Sequence, residues 1–140
     1  MENEMAYWRL YYHFVWAAYQ RNPVINADMQ LVLFDYIRYK TNKLECIFHA
    51  VGGVEDHVHL VVSIPPKFAV ADVIRQIKGG SSHYINTEYQ TATKFSWQNE
   101  YGVLSFGKKQ FDDIVDYVIH QPQRHAHQQL HSVLERTTDK

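Results

Sequence analysis

A chain of 140 residues, 46 % of them hydrophobic, is the size of one domain and can bury one core. Its single cysteine, Cys46, excludes an internal disulfide, and no stretch approaches the roughly 20 apolar residues of a membrane span. A formal net charge of -1 argues against binding nucleic acid through bulk positive charge, but not against gripping a short strand through a local patch.

Tyr7 to Ala18 is dense in aromatic and β-branched residues and predicts a strand. Arg21-Asn22-Pro23 is a loop, and Asn26 or Asp28 can cap a helix over Met29 to Thr41, where Leu31, Val32, Phe34, Ile37 and Tyr39 fall near helical spacing. Leu44 to Val51 predicts a second strand, broken by Gly52-Gly53. Asp56 to Ile64 predicts a central strand, stopped by Pro65-Pro66. Phe68 to about Gln76 has helical spacing, and Gly79-Gly80-Ser81-Ser82 is expected to interrupt or re-cap that helix. A short strand is expected around Val103 to Phe106. A helix follows over Phe111 to Gln121, its apolar face formed by Phe111, Ile114, Val115, Val118 and Ile119. Beyond Pro122 the chain is rich in His and Gln, with helix expected to about Leu134. The order predicts an α+β fold, a ferredoxin-like βαββαβ antiparallel sheet with an added C-terminal helix, in one domain over 1–140.

Two groups of residues carry chemistry. In His57-Val58-His59, residues i and i+2 of a strand share a face with α-carbons about 6.6 Å apart, so two imidazoles can converge on one ion while Val58 faces the core. Tyr117 and Gln121 are four apart on a helix, hence neighbours, and lie off its apolar stripe. On its own this second pair reads as amphipathic packing and a solvated amide, and it gains weight only in combination with the histidines. Pro122 is expected to end or kink the helix beside Gln121. His120, His125, His127 and His131 are alternative ligands, or simply a solvated polar tail. Arg75, Lys78, Ser81 and Ser82 suit either a phosphate-gripping edge or a helix C-terminus with cations near its negative end.

The ordered set of motifs resembles the single-tyrosine HUH transposases of small bacterial insertion sequences. The resemblance rests on Tyr12-His13-Phe14-Val15-Trp16, Glu55-Asp56-His57-Val58-His59-Leu60-Val61-Val62, Ile77-Lys78-Gly79-Gly80-Ser81-Ser82, Trp97-Gln98-Asn99-Glu100-Tyr101-Gly102 and Tyr117 to Gln121. It implies Tyr117 as nucleophile toward single-stranded DNA near a hairpin, giving a 5′-phosphotyrosine and a free 3′-OH without ATP. It implies His57, His59 and Gln121 as ligands of a divalent metal, Mg²⁺ or Mn²⁺. It further implies a homodimer with shared active sites and transposition of an insertion sequence.

Other readings fit less well. A histidine-triad hydrolase needs a third histidine where Val61 stands, and the His-x-Thr/Ser pairs of a 2H phosphoesterase are absent. A non-catalytic βαββαβ nucleic-acid-binding module reads bases with aromatic residues on its sheet, where this chain has histidines. A domesticated relative cutting host repeat hairpins would share the chemistry. The acidic start, Met1-Glu2-Asn3-Glu4-Met5, lacks the pattern of a secretory signal, and a cytoplasmic location is expected.

Overall fold

A computed structural model of the chain describes residues 6–127 and 130–138. Four strands, β1 (Tyr11–Ala17), β2 (Ile47–Val54), β3 (His57–Ser63) and β4 (Gly102–Phe106), form one sheet in the order β2-β3-β1-β4 with every pair antiparallel. Helix α1 (Ala27–Lys43) joins β1 to β2, and α2 (Val70–Tyr84) lies between β3 and β4. This is the expected ferredoxin-like plan, followed by α3 (Phe111–Ile119), α4 (Gln121–Ala126) and α5 (Ser132–Glu135).

The side-chain alternation of β1 and β3 divides the molecule into two layers. Phe14, Trp16, Val58, Leu60 and Val62 point to one face, where they form the main core with Leu33 and Ile37 of α1 and Ile74 and Ile77 of α2. His13, His57, His59 and Val61 point to the other face, which α3 covers through Val118, Ile114 and Val115. Covered on both sides, β3 is buried along its whole length, which is why its sequence turns continuously apolar.

Helix α1 begins where Asn26 Oδ1 accepts the Met29 N–H at 2.9 Å, and it buries Met29, Leu33, Ile37 and Thr41 at intervals of four. The second strand does not stop at Gly52-Gly53, as its glycines suggest. It runs through both to Val54 because α3 crosses there: a Cβ on Gly52 would overlap the Val118 carbonyl. Helix α2 likewise continues through Gly79-Gly80-Ser81-Ser82 to Tyr84. Gly80 lies against the Tyr36 hydroxyl, Tyr36 stacks on Tyr84 at 4.8 Å, and Ser81 Oγ donates to the Lys78 carbonyl at 3.0 Å. Close approach to α1 overrides the roughly 1 kcal/mol by which glycine weakens a helix.

The break beside Gln121 is present. Helix α3 ends at Ile119, His120 leaves helical geometry (φ -101°, ψ 31°), and α4 starts with Pro122 in its first turn, where a missing N–H costs nothing. The expected helix to Leu134 is replaced by α4, which stops at Ala126, and the four-residue α5. Gln128 and Gln129, within that expectation, lie outside the described residues. Helix α5 turns back against β1 and β4, and a Cβ on Gly102 would overlap the Arg136 carbonyl.

Candidate active site

His57 and His59 share the face of β3 opposite the main core, as the i, i+2 spacing requires, and both are buried. His57 Nδ1 lies 2.6 Å from Asp56 Oδ1. Donation to that carboxylate places the proton on Nδ1 and leaves Nε2 as a lone pair aimed into the site. His59 Nδ1 lies 2.8 Å from His13 Nε2, across the β1–β3 pairing. A carboxylate only accepts, so His59 Nε2 donates to Glu135 Oε1 at 3.2 Å, and Nδ1 of the neutral His59 ring accepts from His13 Nε2; a cation that displaced the Nε2 proton would move it to Nδ1, with His13 then accepting.

Tyr117 comes to the same place from α3. It is 1 % exposed, its ring meets His59 edge-on at 5.9 Å between centroids, and its hydroxyl accepts the His131 N–H at 3.1 Å. Gln121 is fully buried one turn later. Its Nε2 donates to the Tyr117 carbonyl at 3.3 Å, and its Oε1 lies 3.0 Å from His125 Nε2, which donates to it. The four residues singled out in the sequence therefore converge, but the Gln121 amide is engaged by the Tyr117 backbone and His125.

The sequence gives no warning of Glu135. From α5, its Oε1 stands 3.1 Å from His57 Nε2 and 3.2 Å from His59 Nε2, while its Oε2 accepts the Tyr117 hydroxyl. A lone acid in a polar tail has no spacing that distinguishes it. Two of the tail histidines also reach the site. The His125 ring is 4.8 Å from that of His57, and the His131 ring is 4.8 Å from that of Tyr117. His120 stays exposed, paired with Asp116 at 3.0 Å, and His127 is exposed as a solvated tail predicts.

Residues 6–121 match the family model described as "Transposase IS200 like". The chain belongs to the IS200-like transposase family. It is 30 % identical over 92 residues to the ISDra2 transposase TnpA of Deinococcus radiodurans, an alignment covering 64 % of each protein, so less than two thirds of that relative is spanned. It is 24 % identical over 119 residues to the transposase for insertion sequence element IS200 of Salmonella typhimurium, covering 81 % of this chain and 78 % of the relative. Two solved structures share the fold. One is a Deinococcus radiodurans protein taken to be a transposase (TM-score 0.64, 21 % identity, 84 % of this chain and 95 % of that one). The other is a REP-associated tyrosine transposase bound to a REP hairpin (TM-score 0.61, 18 % identity, 89 % and 74 %). The family match ends at Gln121, so Glu135 lies beyond it.

Ligand atoms of His57, His59 and Glu135 lie within 4.8 Å of one another, so this member of the family has a group that can hold a metal ion. The fit shows in His57 Nε2. It is buried and makes no hydrogen bond among the described residues, because Glu135 Oε1 lies close but off the hydrogen-bonding direction.

The electrostatics follow from this crowding. Burial lowers the pKa of His57, but the carboxylates of Glu135 and Asp56 outweigh it and leave the pKa raised. Burial wins at His59, which is lowered, and burial together with His59 holds His13 neutral with a pKa of about 3. Burial would raise the Glu135 carboxyl, yet His57 and His59 hold it well below the usual carboxylate range. Burial, then the Glu135 hydrogen bond, pushes the Tyr117 phenol up to about 12. Here Tyr117 is a neutral, covered phenol.

The residues considered for nucleic-acid contact divide. Arg75 is exposed and pairs only with Asp72, at 2.9 Å, among the described residues. Lys78 Nζ donates to the Gln98, Asn99 and Glu100 carbonyls at 2.8, 3.1 and 3.1 Å, so it ties down the loop before β4. Ser81 is buried beneath Trp97, whose Nε1 donates to it at 3.0 Å, and Ser82 Oγ donates back to the Gly79 carbonyl at 3.2 Å. A groove of about 530 Å³ between α2 and residues 96–101 is lined by Arg75, Lys78, Ser82 and Trp97. Among the described residues, no helix is long and apolar enough to cross a membrane.

Proposed function

We propose that this transposase cleaves and rejoins single-stranded DNA at hairpin-associated sites through a 5′-phosphotyrosine at Tyr117. The observation that carries the reading is the meeting of the Tyr117 hydroxyl with His57 and His59, residues 58 or more positions apart, around one carboxylate. The REP-hairpin complex of a structural neighbour supports hairpin DNA as the partner class.

In this reading His57 and His59 hold a divalent cation, Mg²⁺ or Mn²⁺, with Gln121 the third ligand implied by the resemblance. The cation supplies Lewis-acid polarisation of the scissile phosphate. Asp56 and His13 orient the two imidazoles through their second nitrogens. The Tyr117 oxygen bonds to phosphorus, the bond to the 3′ oxygen breaks, and the phenol proton leaves as the 3′-OH takes one up. The phosphotyrosine keeps the ester, so rejoining needs no ATP. Because Tyr117 is 1 % exposed, a phosphodiester reaches it only when residues 130–138 shift. Arg75 and Ser82, at the α2 groove, are the remaining candidates for gripping the backbone.

The test is a covalent adduct. The protein is incubated with labelled hairpin DNA and Mn²⁺ and run on a denaturing gel. An adduct in wild type, lost in Tyr117→Phe and in chelator, supports the reading; an adduct that persists in Tyr117→Phe overturns it. The expected homodimer with shared sites is tested by mixing His57→Ala and Tyr117→Phe chains, where restored cleavage requires exchange of the tyrosine helix.

A further inference from the structure

We propose that in the DNA-free protein the cation is held by His57, His59 and Glu135, making the C-terminal segment part of the metal site, and that Gln121 is not a ligand in this form. The inference rests on the reading above that the histidine pair binds a cation.

Three observations carry it. First, Glu135 Oε1 is 3.1 Å from His57 Nε2 and 3.2 Å from His59 Nε2. Donor atoms on adjacent corners of an octahedron about 2.1 Å from its centre are about 3 Å apart, so a cation can take the place of the His59 Nε2 proton, which bridges to Glu135 in the metal-free protein, with little movement of the three side chains. Second, His57 Nε2 is buried without a hydrogen bond among the described residues, and its other nitrogen is committed to Asp56. A lone pair so aimed is an unfilled coordination position rather than half of an ordinary hydrogen bond. Third, the Gln121 oxygen already accepts from His125 at 3.0 Å, and its nitrogen donates to the Tyr117 carbonyl. The amide therefore positions Tyr117 and α4 instead of facing the ion.

The exchange of an amide for a carboxylate has a chemical consequence. Two imidazoles and an amide are neutral and hold a hard divalent ion weakly, whereas two imidazoles and a carboxylate form a facial set that suits first-row ions such as Mn²⁺. Glu135 also brings a negative charge without waiting for a DNA phosphate. The DNA-free protein is therefore expected to bind Mn²⁺ by itself.

The experiment is a Mn²⁺ titration of the full chain without DNA, reading free Mn²⁺ by its EPR signal. One ion per chain is expected. Glu135→Gln should weaken binding at least about tenfold, Glu135→Asp should fall between, and Gln121→Ala should stay within about threefold. Hydrogen exchange gives the second readout: Mn²⁺ should protect amides of residues 130–138 in wild type but not in Glu135→Gln. Loss of binding in His59→Ala with none in Glu135→Gln overturns this inference alone. Unchanged binding in His57→Ala and His59→Ala overturns the underlying reading as well. Loss in Gln121→Ala equal to that in His57→Ala assigns the third ligand to the amide and also overturns the inference.

Discussion

His13 on β1 and His59 on β3 share a buried hydrogen bond of 2.8 Å between ring nitrogens, on the sheet face against which α3 and α5 pack. The bond fixes which nitrogen of His59 faces the site, so His13 is a positioning residue. His13→Ala should leave the fold intact by circular dichroism and reduce Mn²⁺ affinity by about 10- to 100-fold. His13→Gln, whose amide can donate or accept at that position, should recover part of the loss. An unchanged affinity in His13→Ala would remove His13 from the site.

Gly102 provides a handle on the C-terminal segment without touching its side chains. A Cβ there overlaps the Arg136 carbonyl, and overpacking of this kind costs about 1–3 kcal/mol. Gly102→Ala should speed hydrogen exchange in residues 130–138 by about 5- to 150-fold while β1–β3 amides stay protected. Equal loosening of the central strands would show that the segment and the sheet open as one unit.

Lys78 and Arg75 make opposite predictions. Lys78 bonds three carbonyls, so Lys78→Met should cost about 2 kcal/mol of stability in urea unfolding and leave the salt dependence of DNA binding unchanged. Arg75 is exposed, and Arg75→Ala should stay within about 0.5 kcal/mol in stability while lowering the salt slope by about one. Lys78→Met lowering the slope instead would place it on the DNA.

Cys46 gives a pH dependence away from the site. Burial raises its thiol from 9.0 to about 11. A raised folded pKa contributes stability that is present below pH 9 and lost as pH rises toward 11, because only the unfolded chain gives up the proton in that window. Wild-type unfolding free energy should therefore fall between pH 8.5 and 10.5, and more steeply than in Cys46→Ala. At pH 8 the folded chain should resist alkylation until it is denatured.

Much of this molecule is legible in the order of its residues. Aromatic and β-branched density in Tyr11–Ala17 and the apolar run after His57 predict strands because such side chains favour extended backbone locally. The near-helical spacing of Leu31, Val32, Phe34, Ile37 and Tyr39 predicts α1 for the same kind of reason, although the buried stripe runs through Met29, Leu33, Ile37 and Thr41 and leaves Leu31 and Tyr39 exposed. Pro122 announces the break after α3 because proline acts on its own backbone and the residue before it. Where local rules misled, a distant element had intervened. Gly52 reads as a strand breaker but is a crossing point for α3, and Gly80 reads as a helix end but is a contact with α1 through Tyr36.

The candidate site divides along the same line. That His57 and His59 share a face follows from the sequence alone, since i and i+2 on a strand leave no alternative. That Tyr117 and Gln121 are neighbours follows from one helical turn, but that both are buried over the histidines depends on how α3 packs on the sheet. Glu135 is the extreme case. It stands 76 residues from His59 in a tail without periodicity, and only the return of α5 across β1 and β4 sets its carboxylate between the imidazoles and the tyrosine. Spacing can fix what lies within a turn or a pleat; a contact closed over a long loop is decided by packing, and leaves no local mark on the residues that make it.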